Sequence, residues 1–370
     1  MLSNNTKAFF ELVRAGLWEK EAQLSQYGSI DFNEILRLSE EQSVVGIVAA
    51  GLEHVTDLKV PKEIALQFVG QALQIEQRNT EMNNFIAMLT KRMQEDGIYA
   101  LLIKGQGVAQ CYERPYWRSS GDIDLLLDED NYKKAKQLLL PLASSTELEA
   151  VTIMHFGMTI EKWSVELHGT LHSGLLPKMD SAVDQIQNEA ILKRRNRPWS
   201  NNGIDVLLPN VDDDIIFVYT HIIKHFFHEG IGLRQICDSV RLLWKYIDEV
   251  NVGLLDIRIR SMGLETEWKT FGVIACNYLG FPIERFPFYS QSSIWKRKAN
   301  KSLSFIIRVG NFGQNRDKSY YNRFPFIFVK CKSFVRRISD YLTVFAIFPL
   351  DASMAFLRTL ISGTKAIVFK

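Results

Sequence analysis

The chain has 370 residues, 46% of them hydrophobic and 23% charged, with a net charge of +2. That is an ordinary globular composition, which excludes a disordered or fibrous chain and leaves room for two or three folding units of roughly 100–200 residues. Cys111, Cys237, Cys276 and Cys331 form no CxxC pair, which argues against a disulfide framework or zinc finger and for a reducing compartment.

The first 95 residues read as helical, with apolar residues three and four apart over 7–17, 32–50, 62–73 and 74–94. Nothing in them carries a chemical motif. The pattern changes at Gly97. Residues 98–103 (IYALLI) form an apolar run that fits a buried strand. A short helix over 106–112 and a second strand over 123–127 follow, then an amphipathic helix over 130–140 with Asp130 as its N-cap. Extended segments are expected over 148–153 and 158–163, and a last strand over 165–168. From Asp212 the chain turns helical again. Asp212, Asp213 and Asp214 suit the positive end of a helix that runs through His221, His225 and His228. A second helix spans 233–246. Most of 253–370 is helical, and Gly310-Asn311-Phe312-Gly313 reads as a turn.

Two features of the C-terminal part bear on partners. Residues 291–370 hold 15 Lys and Arg against 3 Asp. The segment is therefore basic and the rest acidic, which suggests either an anionic partner or packing against the acidic body. Within 326–350, Lys330, Lys332, Arg336 and Arg337 alternate with apolar residues, which suits one face of a packed helix or an anionic surface. The apolar run 341–350 is shorter than the roughly 20 residues a span requires. No leader pattern opens the chain, so it is expected to be cytoplasmic.

The informative stretch is IKGQGVAQCYERPYWRSSGDIDLLL, residues 103–127. Residues two apart on a strand share a face, so Asp122 and Asp124 converge while Ile123 points into the core. Two converging carboxylates repel unless a cation lies between them, and such oxygen ligands suit Mg²⁺ or Mn²⁺. Gly105 lets a phosphate approach the backbone at the start of the next helix. Lys104 or Arg118 would neutralise charge on a transferring group. In Val165-Glu166-Leu167-His168, Glu166 and His168 share one face. If this strand lies beside 123–127, Glu166 becomes the third carboxylate, able to hold metal or take a proton, and His168 orients or ligates from its edge. His221 and His225 are spaced to bind zinc, but the glutamate of the metalloprotease pattern is replaced by Ile222, and a polar helix face lining a cleft fits better. Arg234 and Asp238 suit an ordinary helix pair as well as a site.

Together, Lys104-Gly105, Tyr112, Arg118, Asp122-Ile123-Asp124 and Val165-Glu166-Leu167-His168 resemble the nucleotidyltransferase fold of the DNA polymerase beta-like superfamily. More narrowly, they resemble a bacterial family of uncharacterised nucleotidyltransferases, whose pattern continues into His221, Lys224 and His225, Gly232-Leu233-Arg234 and Asp238. The resemblance spans about residues 5–245.

It implies an α+β protein in which a nucleotidyltransferase-type mixed sheet (96–205) is flanked by a helical N-terminal region (1–95) and a helical C-terminal region (206–370). It further implies metal-dependent transfer of a nucleoside monophosphate from an NTP, ATP first among them, to an unidentified acceptor hydroxyl. Asp122, Asp124 and Glu166 would be catalytic and hold Mg²⁺ or Mn²⁺. Lys104, Gly105, Arg118, His168, His221 and His225 would surround the nucleotide. The family's better-known relatives carry Gly-Ser or Gly-Gly where this chain has Lys104-Gly105-Gln106-Gly107, so Lys104 or the Gln106 amide would have to replace a serine at the phosphates. The alternative is a non-catalytic nucleotide-binding or protein-interaction scaffold of the same fold. Asp122→Asn and Asp124→Asn are expected to leave the fold intact and to relieve like-charge repulsion.

Overall fold

Helices dominate the start of the chain for local reasons. In the computed structural model, which describes residues 2–315 and 326–368, α1 (Asn4–Trp18) begins where Ser3 Oγ accepts the Thr6 N–H at 3.1 Å. Asp31 caps α2 (Phe32–Glu41) in the same way. The stretch 32–50 is two helices rather than one: Ser43 turns to φ 56, and α3 (Val45–Glu53) starts afresh. The opposite correction applies to 62–94, which forms a single 34-residue helix, α4 (Lys62–Glu95). No Gly or Pro stands at the join between Leu73 and Gln74, so nothing there interrupts the backbone hydrogen bonds.

A five-stranded sheet follows. Its elements are β1 (Leu101–Ile103), α5 (Gly105–Ala109), β2 (Ile123–Leu126), α6 (Glu129–Leu139), β3 (Ala143–Thr146), β4 (His155–Ile160) and β5 (Trp163–His168). The order is β1-β2-β5-β4-β3, with β2 and β5 parallel and the other pairs antiparallel. Asp128, not Asp130, caps α6, accepting the Asn131 N–H at 2.7 Å. The segment 148–153 holds only a short 3₁₀ turn, Val151–Ile153, and the edge strand is instead the polar Ala143–Thr146. The strand expected over 158–163 starts at His155 and ends at Ile160, and β5 begins at Trp163.

After β5 come α7 (Pro177–Leu192) and the hairpin β6 (Asn196–Asn201) and β7 (Ile204–Pro209). Neither has a counterpart in the sequence reading. β7 packs on β1 and α4. The remaining elements are α8 (Val211–His228), α9 (Leu233–Lys245), α10 (Val252–Met262), α11 (Glu265–Leu279), α12 (Ser293–Val309), α13 (Phe326–Phe345) and α14 (Pro349–Val368).

Two apolar cores result. Ile123, Leu125, Val165 and Leu167 point from one sheet face into a cluster with Phe85 and Leu89 of α4 and Tyr132 and Leu139 of α6. The larger cluster joins α1 and α3 to α8, α9, α11 and α12, so the N- and C-terminal helices bury one another. Phe226 of α8 anchors it, with its ring against Phe271, Phe305 and Phe348.

The acidic start of α8 is held by more than the helix dipole. Asp213 pairs with Arg258 at 2.7 Å and with Arg195 at 3.2 Å, and Asp214 pairs with Arg197 at 2.7 Å. Among the described residues no helix is long and apolar enough to cross a membrane. Most of the basic stretch 326–350 is the helix α13, packed against α12 and α14; the side chain of Lys330 falls outside the described residues.

Candidate active site

The first wall of the site is set by backbone geometry at the end of β1. Lys104 adopts φ 60, ψ −148, a conformation that a side chain makes costly, and Gly105 follows at φ 46. A Cβ on Gly105 would lie 3.3 Å from the Asp122 carbonyl oxygen, and one on Gly107 would lie 2.8 Å from Leu208 Cδ2. These two glycines let α5 lie against the start of β2 and against β7. The strained Lys104 sends its ammonium across the sheet to Asp124 Oδ1 at 2.9 Å.

The parallel register of β2 and β5 sets Asp124 opposite Glu166 and Ile123 opposite Val165. The alternation that buries Ile123, Val165 and Leu167 therefore turns Asp124, Glu166 and His168 to the other face. His168 Nε2 lies 2.8 Å from Asp124 Oδ1 and 3.3 Å from Glu166 Oε2. His155, paired with His168 across β4 and β5, reaches the same Glu166 oxygen at 3.1 Å.

The three carboxyls sit in unlike electrostatic surroundings. Burial, then Glu166 and Asp124, push the Asp122 pKa up. Burial works in the same direction on Asp124, but the Lys104 ammonium and His168 outweigh it and hold the group below its ordinary range. Glu166 is also held well down, because hydrogen bonds from His155 and His168 outweigh burial.

Arg118 faces this cleft from the loop before β2, but its guanidinium is engaged. It is 2% exposed and forms a two-pronged pair with Asp238 at 2.6 and 2.7 Å. Tyr112 donates to the same carboxylate at 2.7 Å, and Arg234 approaches it at 3.2 Å. Gln106 likewise turns away from the cleft, donating to Asn79 at 2.8 Å and to Ser120 at 3.0 Å. Its amide is thus not presented to the cleft. Asn79 in turn donates to the carbonyls of Tyr116 and Arg118. This residue of α4, in a region without a chemical motif, fixes the loop that delivers Asp122.

The opposite wall comes from α8 and α9. His221, Lys224 and His225 line the cleft with Arg234, which enters from the first turn of α9. His228, the third histidine of the expected face, does not line it. Burial, followed by the Lys104 charge, drives the His221 pKa well below the ordinary histidine value, so its ring is neutral. Burial likewise lowers Lys224, which has no hydrogen-bond partner among the described residues. Phe312, in the expected turn at 310–313, has φ 48, and its ring packs 4.9 Å from that of His225. The turn is therefore part of the site wall as well as a connector. Between the walls lies a cleft of about 460 Å³, within the range of small-molecule sites.

Among the described residues, one set of three metal-competent side chains has donor atoms all within 4.8 Å of one another: His155, Glu166 and His168. Asp122, Asp124 and Glu166 line the same cleft without closing this tightly, because Asp124 is turned to Lys104 and His168. His155 was not legible as a site residue, since only the β4–β5 register brings it beside His168. The three described cysteines are buried and unpaired.

The model of a family described as "Uncharacterised nucleotidyltransferase" matches residues 28–278. No curated protein and no solved structure matches the chain.

Proposed function

The chain belongs to the uncharacterised nucleotidyltransferase family, and from that premise we propose that it transfers a nucleoside monophosphate from an NTP, ATP first among them, to an acceptor hydroxyl. The observation that carries this reading is the polarity of the cleft. Asp122, Asp124 and Glu166 form one wall, while Lys224, Arg234 and the two histidines of α8 form the other. A metal–triphosphate complex has the same division of charge.

The carboxylates fit a divalent cation on two counts. The Asp122 pKa is raised by burial and then by Glu166 and Asp124, a repulsion that a cation relieves, and an ammonium already stands 2.9 Å from Asp124. Mg²⁺ or Mn²⁺ bound there would screen the charge on the reacting phosphate. Lys224, without another partner, would take the terminal phosphates, replacing the absent serine. His221 and His225 would border the same phosphates, and Gly105 would allow close backbone approach. Arg118 would serve by holding Asp238 and so the placement of Arg234. The acceptor hydroxyl attacks the α-phosphorus in line, pyrophosphate leaves toward Lys224 and Arg234, and the hydroxyl proton passes to a carboxylate. The basic segment 291–370 suits an acceptor that is itself anionic.

Calorimetric titration of the four NTPs, with and without Mg²⁺, tests this. Wild type should bind at least one NTP in a Mg²⁺-dependent manner. Asp122→Asn should lose that dependence, and Lys224→Ala should weaken binding about tenfold, the value of one charge-assisted contact. Failure of wild type to bind any NTP would remove the proposal and favour the scaffold alternative.

A further inference from the structure

We propose that His155, Glu166 and His168 form a binding site for a late first-row divalent ion of the Zn²⁺ or Co²⁺ type, distinct in chemistry from a Mg²⁺ site at Asp122 and Asp124. The inference deepens the reading above, since Glu166 lines the same cleft, but it rests on its own observations.

The first is backbone register. His155 and His168 are direct partners across β4 and β5, and Gly157 is the partner of Glu166. Directly opposed residues of an antiparallel pair project to the same face. The two imidazoles and the carboxylate therefore emerge together, while Gly157, opposite Glu166, has no side chain of its own and the Glu147 carboxyl lies over it.

The second is distance. Both histidines place Nε2 near one oxygen, Glu166 Oε2, at 3.1 and 3.3 Å; His168 Nε2 also contacts Asp124 Oδ1 at 2.8 Å, a contact that ligation of an ion would replace. Their rings lie 4.8 Å apart. Ligand atoms around a tetrahedral zinc ion, each about 2.1 Å from it, are about 3.3 Å from one another. Each histidine nitrogen already stands at that spacing from the Glu166 oxygen, and all three donors lie within 4.8 Å of one another.

The third is ligand type. Two imidazole nitrogens and one carboxylate are the donors that zinc and its neighbours take, whereas Mg²⁺ prefers oxygen and gives up water reluctantly. His155 and Glu166 are about one-quarter exposed, so an ion has an entry path and an open coordination position toward the cleft.

Co²⁺ is the probe, because its weak visible d–d absorption in water intensifies strongly in a four- or five-coordinate protein site, and Mg²⁺ has no such absorption. Titration of wild type in excess Mg²⁺ should give a saturable band for a single site. His155→Ala and the more conservative His155→Asn should each weaken Co²⁺ binding by more than about 100-fold, beyond the loss of an outer-shell partner. Asp122→Asn should keep the band. X-ray absorption of the wild-type cobalt protein should count two imidazoles, a readout independent of any variant's folding.

A band abolished by Mg²⁺, or one unchanged in both His155 variants, would overturn the site. NTP calorimetry on the same preparations separates the two proposals. Co²⁺ binding without NTP binding leaves this site standing and removes the nucleotidyltransferase reading; Mg²⁺-dependent NTP binding without the cobalt band does the reverse.

Discussion

At the scale of single residues, the acidic pair behaves as two unlike groups. The sequence alone suggests that Asp122→Asn and Asp124→Asn would both relieve repulsion. The structure separates them. The Asp122 residue is open to solvent, but its carboxyl is partly desolvated on the cleft side and repelled by Glu166 and Asp124, so Asp122→Asn should raise unfolding free energy slightly, by at most about 1 kcal/mol. Asp124 is buried and accepts from Lys104 while contacting His168. Asp124→Asn leaves a half-buried ammonium without its counter-charge and should lower stability by about 2–3 kcal/mol. Urea unfolding of the two single variants checks this; equal shifts of the same sign would refute the distinction. Two aspartates alone at a strand end are common; these two were readable as a site because a strand-Gly-helix lead-in, Arg118 and the later Glu166-Leu167-His168 strand accompany them. Their unequal environments were not, because Lys104 reaches Asp124 only through a backbone conformation that no periodicity announces.

At the scale of elements, what could be read depended on how much of each strand is buried. β5 alternates buried and part-exposed residues and β2 is buried throughout, so the one stands out as an alternation and the other as an apolar run. β3 is a polar edge strand, ASST, and β6 reads NRPWSN with a proline inside it. Such strands carry little apolar pattern, and pairing geometry alone defines them. The break at Ser43 and the continuity of α4 were missed for a related reason: both are settled by backbone conformation rather than by apolar spacing. The turn at 310–313 shows the functional side of this limit. Gly310 and Gly313 mark a turn, but nothing in the sequence places Phe312 beside His225. Its ring is 42% exposed at the cleft, which suits it to stack a nucleobase. Stacking on an aromatic ring is worth about 1–3 kcal/mol per base. Phe312→Ala should therefore weaken NTP binding by about tenfold or more, leaving its Mg²⁺ dependence and the melting temperature unchanged. An affinity equal to wild type would exclude the ring from the nucleotide site.

At the scale of the whole molecule, the C-terminal helices are tied to the body through a buried acid outside the cleft. Glu267 of α11 is fully buried, and neither of its oxygens accepts from a donor; the group that faces it is the Asp351 carboxyl of α14, to which a protonated Glu267 can donate. The hydroxyl of Tyr219, on α8, is buried and unpartnered as well. Burial, and then the charge of Asp351 on α14, push the Glu267 pKa well above its ordinary value of 4.5, against a weaker opposing pull from Lys298 of α12. Glu267 is thus protonated in the folded chain at pH values where the unfolded chain has it ionised. For an acid shifted upward, the stabilising contribution is complete below the unfolded pKa and is lost as pH rises toward the folded one. Over that window the loss is about 1.4 kcal/mol per pH unit. Glu267→Gln keeps the shape and abolishes the ionisation, so the variant should gain on wild type as pH is raised. Unfolding free energies measured in parallel from pH 5 to pH 8 should show a gap that widens by about that slope until the buried group ionises. A gap independent of pH would mean that Glu267 is ionised in the fold, and the joint between α11 and α14 would then have to hold a buried charge pair instead of a neutral acid.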